Sequence, residues 1–153
     1  MVKKTLSVLM CCVGLIIFVS TLHGQGSKKT ITLPSGEIVC DLNGEWDALY
    51  VDDHQGKSTD ILKITQRDGS FEGVKTIGGR LVPKNAVSIK GELSKGGIAK
   101  VQVVMRVFYS GDPVKMIQNM SDGTGQISED CNKIVIEVAE SGEMTIRVTL
   151  TRK

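Results

Sequence analysis

Short runs of alternating apolar and polar residues dominate the chain from about residue 44 to its C-terminus, and glycine, asparagine or aspartate separates one run from the next. Val87–Leu93 (VSIKGEL) alternates without interruption, and Ile98–Tyr109 is the longest apolar run of this kind. A period of two places successive side chains on opposite faces of a β-strand, whereas an amphipathic helix needs a period of about 3.6. The helical period is almost absent, so the pattern predicts an all-β domain.

The runs predict seven or eight antiparallel strands. They are Gly44–Asp52, Thr59–Gln66, Ser70–Ile77, Val87–Leu93, Ile98–Tyr109, a short strand within Gly125–Asp130, Lys133–Ala139 and Glu143–Thr151. Tight turns such as Arg67–Gly69 connect many of them, and no segment has the length and period of a crossover helix. An up-and-down barrel or a sandwich satisfies this pattern, and barrel closure also removes exposed strand edges. We expect an antiparallel up-and-down barrel of about eight strands.

One connection departs from the regular spacing. Ser110–Thr124 (SGDPVKMIQNMSDGT) reads as a long loop in which Pro113 can begin one or two helical turns. Long loops often act as functional lids, and Met116 and Met120 would give such a lid an adaptable apolar surface. The alternative is a helix that plugs one end of the barrel.

The N-terminus has the pattern of a secretory signal. Lys3 and Lys4 precede the apolar stretch Thr5–Leu22, and small residues follow it. We therefore divide the chain into a signal peptide and short leader (1–26), a polar linker or edge strand (27–40) and a barrel domain (41–153). The alternative to cleavage is a retained membrane anchor. The expected location is periplasmic or extracellular, with no stable membrane insertion once the signal is removed.

Cysteine and charge support an exported domain that does not bind nucleic acid. Cys40 and Cys131 remain after signal removal, and an even pair in an exported protein predicts a disulfide, with two buried thiols as the alternative. The chain from Gln25 onward carries 17 basic and 17 acidic residues with their signs interspersed. Such a chain has no basic field for a phosphate backbone, so nucleic-acid binding is not expected.

Few residues could support catalysis or hold a metal ion. His54 is the one histidine beyond the signal, and it lies in a loop beside Asp52 and Asp53. Neighbouring loop residues point in different directions, and no distant residue completes a metal-ligand set. Gly56–Thr59 (GKST) resembles the end of a phosphate-binding loop, but the first glycine of that motif and the following helix are missing. We predict no catalytic residues, no metal and no cofactor; an enzyme dependent on His54 is the remaining alternative.

The single tryptophan carries a family resemblance. Asn43–Asp47 (NGEWD) resembles the lipocalin, or calycin, signature of glycine, any residue and tryptophan at the head of the first barrel strand. The order and spacing of the later segments, from about Asp41 to Lys153, are similar to small exported bacterial lipocalin-like domains. The resemblance implies that Trp46 closes the narrow end of an eight-stranded barrel. It also implies that a basic side chain of the last strand, best matched by Arg152, lies across the indole. Other lipocalin segments and the C-terminal helix are missing.

The inward face is the remaining candidate for a binding site. Alternation predicts inward side chains at Tyr50, Leu62, Ile64, Phe71, Ile89, Val103, Met105 and Val107. Eight-stranded barrels are either filled by side chains or hold one small ligand. We expect a non-enzymatic domain that binds a small apolar or amphipathic molecule, with Tyr50, Phe71, Met105, Met116 and Met120 as its ligand-binding residues. The alternative is a solid-cored structural or protein-interaction module, whose partner the sequence does not identify.

Overall fold

The structure is a computed structural model that describes residues 29–53, 56–110, 115–139 and 145–153. The predicted signal peptide and His54 lie outside the described residues. Ten β-strands form the regular secondary structure of the described part: β1 (Thr30–Thr32), β2 (Ile38–Cys40), β3 (Gly44–Asp52), β4 (Gly56–Arg67), β5 (Ser70–Lys75), β6 (Val87–Ser94), β7 (Gly97–Ser110), β8 (Lys115–Ile127), β9 (Lys133–Ala139) and β10 (Thr145–Arg152). None of the residues that the structure describes forms a helix with the length and hydropathy of a membrane span.

Strands β3 to β10 form a closed antiparallel barrel of eight strands in up-and-down order. Each barrel strand pairs with its neighbours in sequence, and β10 pairs with β3 to close the cylinder. The closing register runs from Ile146 opposite Asp52 to Arg152 opposite Trp46. The prediction of an all-β, up-and-down barrel is therefore confirmed, and closure gives each barrel strand a hydrogen-bonded neighbour on both sides.

The predicted loop or helix is wrong for Lys115–Thr124, whereas Pro113, where the helix was predicted to begin, lies outside the described residues. Strand β7 continues to Ser110, and β8 occupies Lys115–Ile127, so that Tyr109 lies opposite Met116. The short strand predicted within Gly125–Asp130 is the end of this longer strand. Whether a segment forms a strand depends strongly on the partner strand available to it. Here the long apolar strand β7 pairs with β8, although the sequence of β8 is polar and contains glycine.

The segment before the barrel forms a small hairpin that packs against one end of it. Strands β1 and β2 pair with each other in a separate two-stranded sheet. Leu33, Val39 and Leu42 are buried in the barrel core, so this segment contributes to the core as well as to the surface. A disulfide joins Cys40 to Cys131, across 91 positions of sequence, with a Cα–Cα distance of 5.6 Å. In the loop-entropy description, a crosslink of this span stabilises the fold by roughly 4–5 kcal/mol.

Trp46 and Arg152 close the same end of the barrel. The indole is fully buried and donates its N–H to the carbonyl of Leu42 at 2.9 Å. The guanidinium carbon of Arg152 lies 4.4 Å from the centroid of the indole ring. Its nitrogens donate to the carbonyls of Asp41, Asn43 (3.0 Å) and Cys131 (3.4 Å). One arginine therefore stacks on the tryptophan and ties the segment before β3 to the loop after β8. We call this arrangement the Trp46–Arg152 cap.

Side chains fill the half of the barrel next to the cap. Fully buried residues from many strands pack there into one cluster that includes Trp46, Leu62, Ile64, Phe71, Ile89, Ile134, Ile136 and Leu150. Five of the predicted inward residues, Leu62, Ile64, Phe71, Ile89 and Val103, are buried in this cluster, and Tyr50 and Met105 pack against it from a partly buried position.

β-Bulges interrupt the alternation of β6 and β7. The β5–β6 register skips Ser88, and the β7–β8 register skips Met105. A bulge places two consecutive residues on nearly the same side of the sheet and reverses the alternation beyond it. For this reason Val107, predicted to point inward, instead packs with Val82, Ala86 and Val104 in a second small cluster. The loop 76–86 folds over that cluster, and the N–H of Val107 donates to the carbonyl of Leu81 at 2.8 Å.

The cap generates a stability prediction. Replacing Arg152 with methionine removes the cation–π contact and the charged donors to three carbonyls, so we expect a loss of about 2–4 kcal/mol in the free energy of unfolding. Arg147→Met is a matched control on the same strand, since Arg147 pairs with Glu137 at 2.5 Å on the exposed surface. That change should cost less than about 1 kcal/mol. Urea unfolding monitored by Trp46 fluorescence measures both, and equal losses in the two variants would contradict the role of the cap.

Candidate binding cavity

A cavity of about 660 Å³ occupies the barrel end opposite the cap. Strands β3 to β8 and β10, together with the loop 76–86, supply its walls. Its apolar side is formed by Leu81, Val82, Val103, Val104, Met105 and Ile146, and its polar side by Tyr50, Asp52, Lys57, Ser58, Lys75, Arg80, Ser88, Arg106 and Asn119. The barrel is therefore solid at one end and hollow at the other.

Two hydroxyl groups meet in the interior of the cavity. The Tyr50 side chain extends from β3 to β6, where its hydroxyl and that of Ser88 form a hydrogen bond of 2.9 Å. Ser88 is fully buried, and the bulge in β6 brings it to the inside beside Ile89. Burial raises the pKa of the Tyr50 phenol well above its ordinary value, while the Ser88 hydrogen bond acts in the opposite direction. Tyr50 therefore remains a neutral hydrogen-bonding group at physiological pH.

Lys75 projects into the cavity beside Tyr50. Its side chain is 13% exposed, and its Nζ lies 4.3 Å from the centroid of the Tyr50 ring. The same Nζ lies 3.7 Å from Oδ2 of Asp60, which is an ion-pair distance longer than a hydrogen bond. Burial lowers the pKa of the Lys75 ammonium, and the Asp60 carboxylate partly offsets that effect.

Asp60 holds the loop that borders the cavity. Its Oδ1 accepts the N–H of Ile61 at 2.7 Å and that of Ile77 at 3.2 Å, and its Oδ2 accepts the N–H of Gly78 at 2.9 Å. Gly78 has a φ of +83°, and a Cβ there would lie 2.1 Å from the backbone nitrogen of Lys84, so this turn requires glycine. The buried carboxylate thus fixes the start of the loop 76–86, which contributes Arg80, Leu81 and Val82 to the cavity wall.

The predicted ligand-binding residues do not lie together. Tyr50 and Met105 line the cavity. Phe71 is buried near the cap end, where its ring packs over Gly91 on the neighbouring strand. Met116 is 50% exposed, opposite Tyr109 on the β7–β8 hairpin, and Met120 packs against the second cluster outside the barrel core.

Apart from Tyr50, the polar residues that line the cavity were missed as binding residues, because the sequence argument considered apolar side chains and strict alternation. Lys75 is an even number of residues after Phe71 on β5, so alternation alone could have identified it as inward-facing. Ser88 and Arg106 lie on the inside because each is next to or within a bulge. Strict alternation counted from the buried Ile89 would place Ser88 on the outer face, and alternation counted from the buried Val103 would place Arg106 there.

The described residues do not form a metal centre. Within them, no group of three or more histidine, cysteine, aspartate or glutamate side chains could hold a metal ion. His54 lies outside this part of the chain, and Asp52 and Asp53 beside it have interactions within the protein. Cys40 and Cys131 are joined in the disulfide, so neither is a free thiol.

No protein-family model matches the chain, and a search of curated proteins gives no match to its sequence.

The buried ammonium generates a pH prediction. Because the pKa of Lys75 is lowered in the folded protein, the unfolded chain binds more protons at this residue between that pKa and the ordinary value of 10.5. Stability should therefore rise with pH in this interval for the wild type relative to Lys75→Met, which has no proton to lose. The surrounding charged groups (Asp52, Lys57, Asp60, Arg80 and Arg106) and Tyr50 are common to both proteins.

Urea unfolding of both proteins at a series of pH values from about 7 to 9.5 measures this difference, with the upper limit below the titration of unfolded tyrosine. The quantity of interest is the free energy of unfolding of the wild type minus that of Lys75→Met. A value that stays constant or falls as the pH rises would contradict the lowered pKa of Lys75.

Proposed function

We propose that this domain is an exported, non-enzymatic β-barrel that binds a small apolar or amphipathic molecule in the cavity at its open end. The observation that carries the proposal is the cavity itself. Its volume of about 660 Å³ falls within the range of small-molecule sites, roughly 300–1,000 Å³. Because the Trp46–Arg152 cap closes the other end, ligand would enter beside Lys57 and Arg106.

The composition of the wall favours a ligand with an apolar body and a polar group. Val103, Met105 and Ile146 offer apolar surface, and methionine adapts to ligands of different shape. The hydroxyls of Tyr50 and Ser88 lie among these apolar side chains. A few polar groups set in an apolar wall typically fix the orientation of a bound small molecule.

The proposed family and location have separate support. A closed eight-stranded barrel with Trp46 under Arg152 agrees with the lipocalin-like, or calycin, resemblance of the sequence. The Cys40–Cys131 disulfide is compatible with an oxidising compartment. Together with the signal-like pattern of residues 1–26, it supports export to the periplasm or beyond the cell.

A protein-interaction module is the second candidate. It is favoured by exposed apolar side chains on the β7–β8 hairpin, where the paired residues Tyr109 and Met116 are 62% and 50% exposed on one face and Ile117 is exposed on the other. Exposed apolar patches of this kind often mark contact surfaces. The cavity favours the first candidate, because an interaction surface has no need of a hollow interior.

Ligand capture by the purified domain tests the proposal. We expect native mass spectrometry of protein from its own host to show a small-molecule adduct. The neutral fluorophore N-phenyl-1-naphthylamine should bind, and Met105→Trp, which fills the cavity, should weaken that binding by at least about tenfold, equivalent to 1.4 kcal/mol. Leu49→Trp adds the same indole to an exposed position on β3 and should leave the affinity unchanged.

Two results would contradict small-molecule binding in the cavity. One is a protein that carries no adduct and takes up no fluorophore. The other is fluorophore binding that Met105→Trp and Leu49→Trp affect equally, since the bound molecule would then lie outside the barrel. Equal effects of Met105→Trp and Leu49→Trp, together with a loss of fluorophore affinity in Tyr109→Ser, would favour binding at the β7–β8 hairpin surface.

A further inference from the structure

Basic side chains dominate the charges around the cavity. Among the lining residues that the structure describes, four are basic (Lys57, Lys75, Arg80 and Arg106) and one, Asp52, is acidic. This imbalance is local, because the chain beyond residue 24 has equal numbers of acidic and basic residues. A concave site with apolar walls and charges of one sign attracts ligands of the opposite charge.

The innermost of these basic groups has hydrogen-bonding capacity left over. The Lys75 ammonium has three N–H donors, and within the described residues its ion-pair partner is Asp60, at 3.7 Å. That carboxylate already accepts three backbone N–H groups from Ile61, Ile77 and Gly78. Lys75 is therefore a largely buried cation that faces a cavity, beside a carboxylate engaged elsewhere.

The Tyr50–Ser88 pair offers a further donor at the same place. Two hydroxyls have two protons, and their mutual hydrogen bond uses one of them. The other proton is available to an acceptor within the cavity. Tyr50 is also in contact with Lys75 through its ring, so the ammonium and the hydroxyl pair lie in one region of the cavity wall.

We propose that the ligand is an anionic amphiphile, whose carboxylate binds Lys75 and the Tyr50–Ser88 hydroxyl pair while its apolar body lies along Val103, Met105 and Ile146. This inference rests on the proposed function, because it names the chemical class that the same cavity takes. A carboxylate satisfies the buried ammonium, and charge-assisted hydrogen bonds in a site of low water content are strong. The rim residues Lys57, Arg80 and Arg106 would attract the anion on approach.

A competition experiment with matched probes tests the charge requirement. N-phenyl-1-naphthylamine reports occupancy, and decanoate, 1-decanol and acetate compete with it. Decanoate should displace the fluorophore at concentrations about ten- to hundredfold lower than 1-decanol, the range given by charged hydrogen bonds. Acetate, which has the carboxylate without the chain, should not compete over the same concentrations.

Variants assign the preference to Lys75. Lys75→Met should bind decanoate and 1-decanol equally, and Lys75→Arg, which keeps the positive charge, should retain most of the preference. Lys63→Met is the matched control, since Lys63 is exposed on the outer face of β4. It should behave as the wild type. Circular dichroism and a urea unfolding curve for each variant verify that it is folded before binding is compared.

The outcomes separate this inference from the proposed function. Equal competition by decanoate and 1-decanol in the wild type, or a preference for decanoate that persists in Lys75→Met, would overturn the anionic site while leaving a neutral ligand in the cavity. Effective competition by acetate would overturn the requirement for an apolar body. Failure of the neutral fluorophore itself to bind would contradict the proposed function.

Discussion

Closure of one barrel end by the Trp46–Arg152 cap is the interaction on which the rest of the structure depends. The indole fills the interior where β3 begins, and the guanidinium spans it to reach carbonyls of the segment before β3 and of the loop after β8. The Cys40–Cys131 disulfide joins those same two segments covalently. Since Arg152 also lies opposite Trp46 in the β10–β3 register, the contact that covers the end also sets the register in which the cylinder closes. A barrel fixed at one end in this way can leave its other end hollow.

The hollow end is shaped by departures from regular strand geometry. Bulges at Ser88 and Met105 place a serine and an arginine on the inner side, and the bulge at Met105 turns Val107 to the outer face, where it packs with Val104 against the loop 76–86. Asp60 anchors the start of that loop through backbone N–H groups, and the loop then forms part of the cavity wall. Bulges are common at barrel rims and beside binding sites for this reason, because they redirect side chains without breaking the sheet. The bulges thus add Ser88 and Arg106 to the polar groups, such as Tyr50 and Lys75, that regular alternation already places in the cavity.

The sequence was sufficient to predict most of the barrel strands, the up-and-down order and the disulfide, because alternation, tight turns and a cysteine pair are local signals with direct physical causes. It was not sufficient for Ser110–Thr124, where pairing with β7 overrides a composition that favours a loop. It also failed at Val107, since one extra residue at a bulge reverses the face of those that follow. Of the five proposed ligand-binding residues, Tyr50 and Met105 line the cavity, whereas Phe71 packs near the cap end. Lys75 was missed because the sequence argument considered only apolar side chains for the inner face, although alternation from Phe71 also directs Lys75 inward.

The account makes one central claim: the interior is solid beside Trp46, and a ligand occupies the end bounded by Tyr50, Lys75 and Met105. Nuclear magnetic resonance titration of the labelled domain with decanoate tests it most directly. The account predicts that chemical-shift changes concentrate at the Met105 methyl and the backbone amides of Tyr50, Lys75 and Ser88, while the Trp46 indole N–H resonance stays in place. Changes centred on Trp46, or on Tyr109 and Met116 of the β7–β8 hairpin, would contradict it.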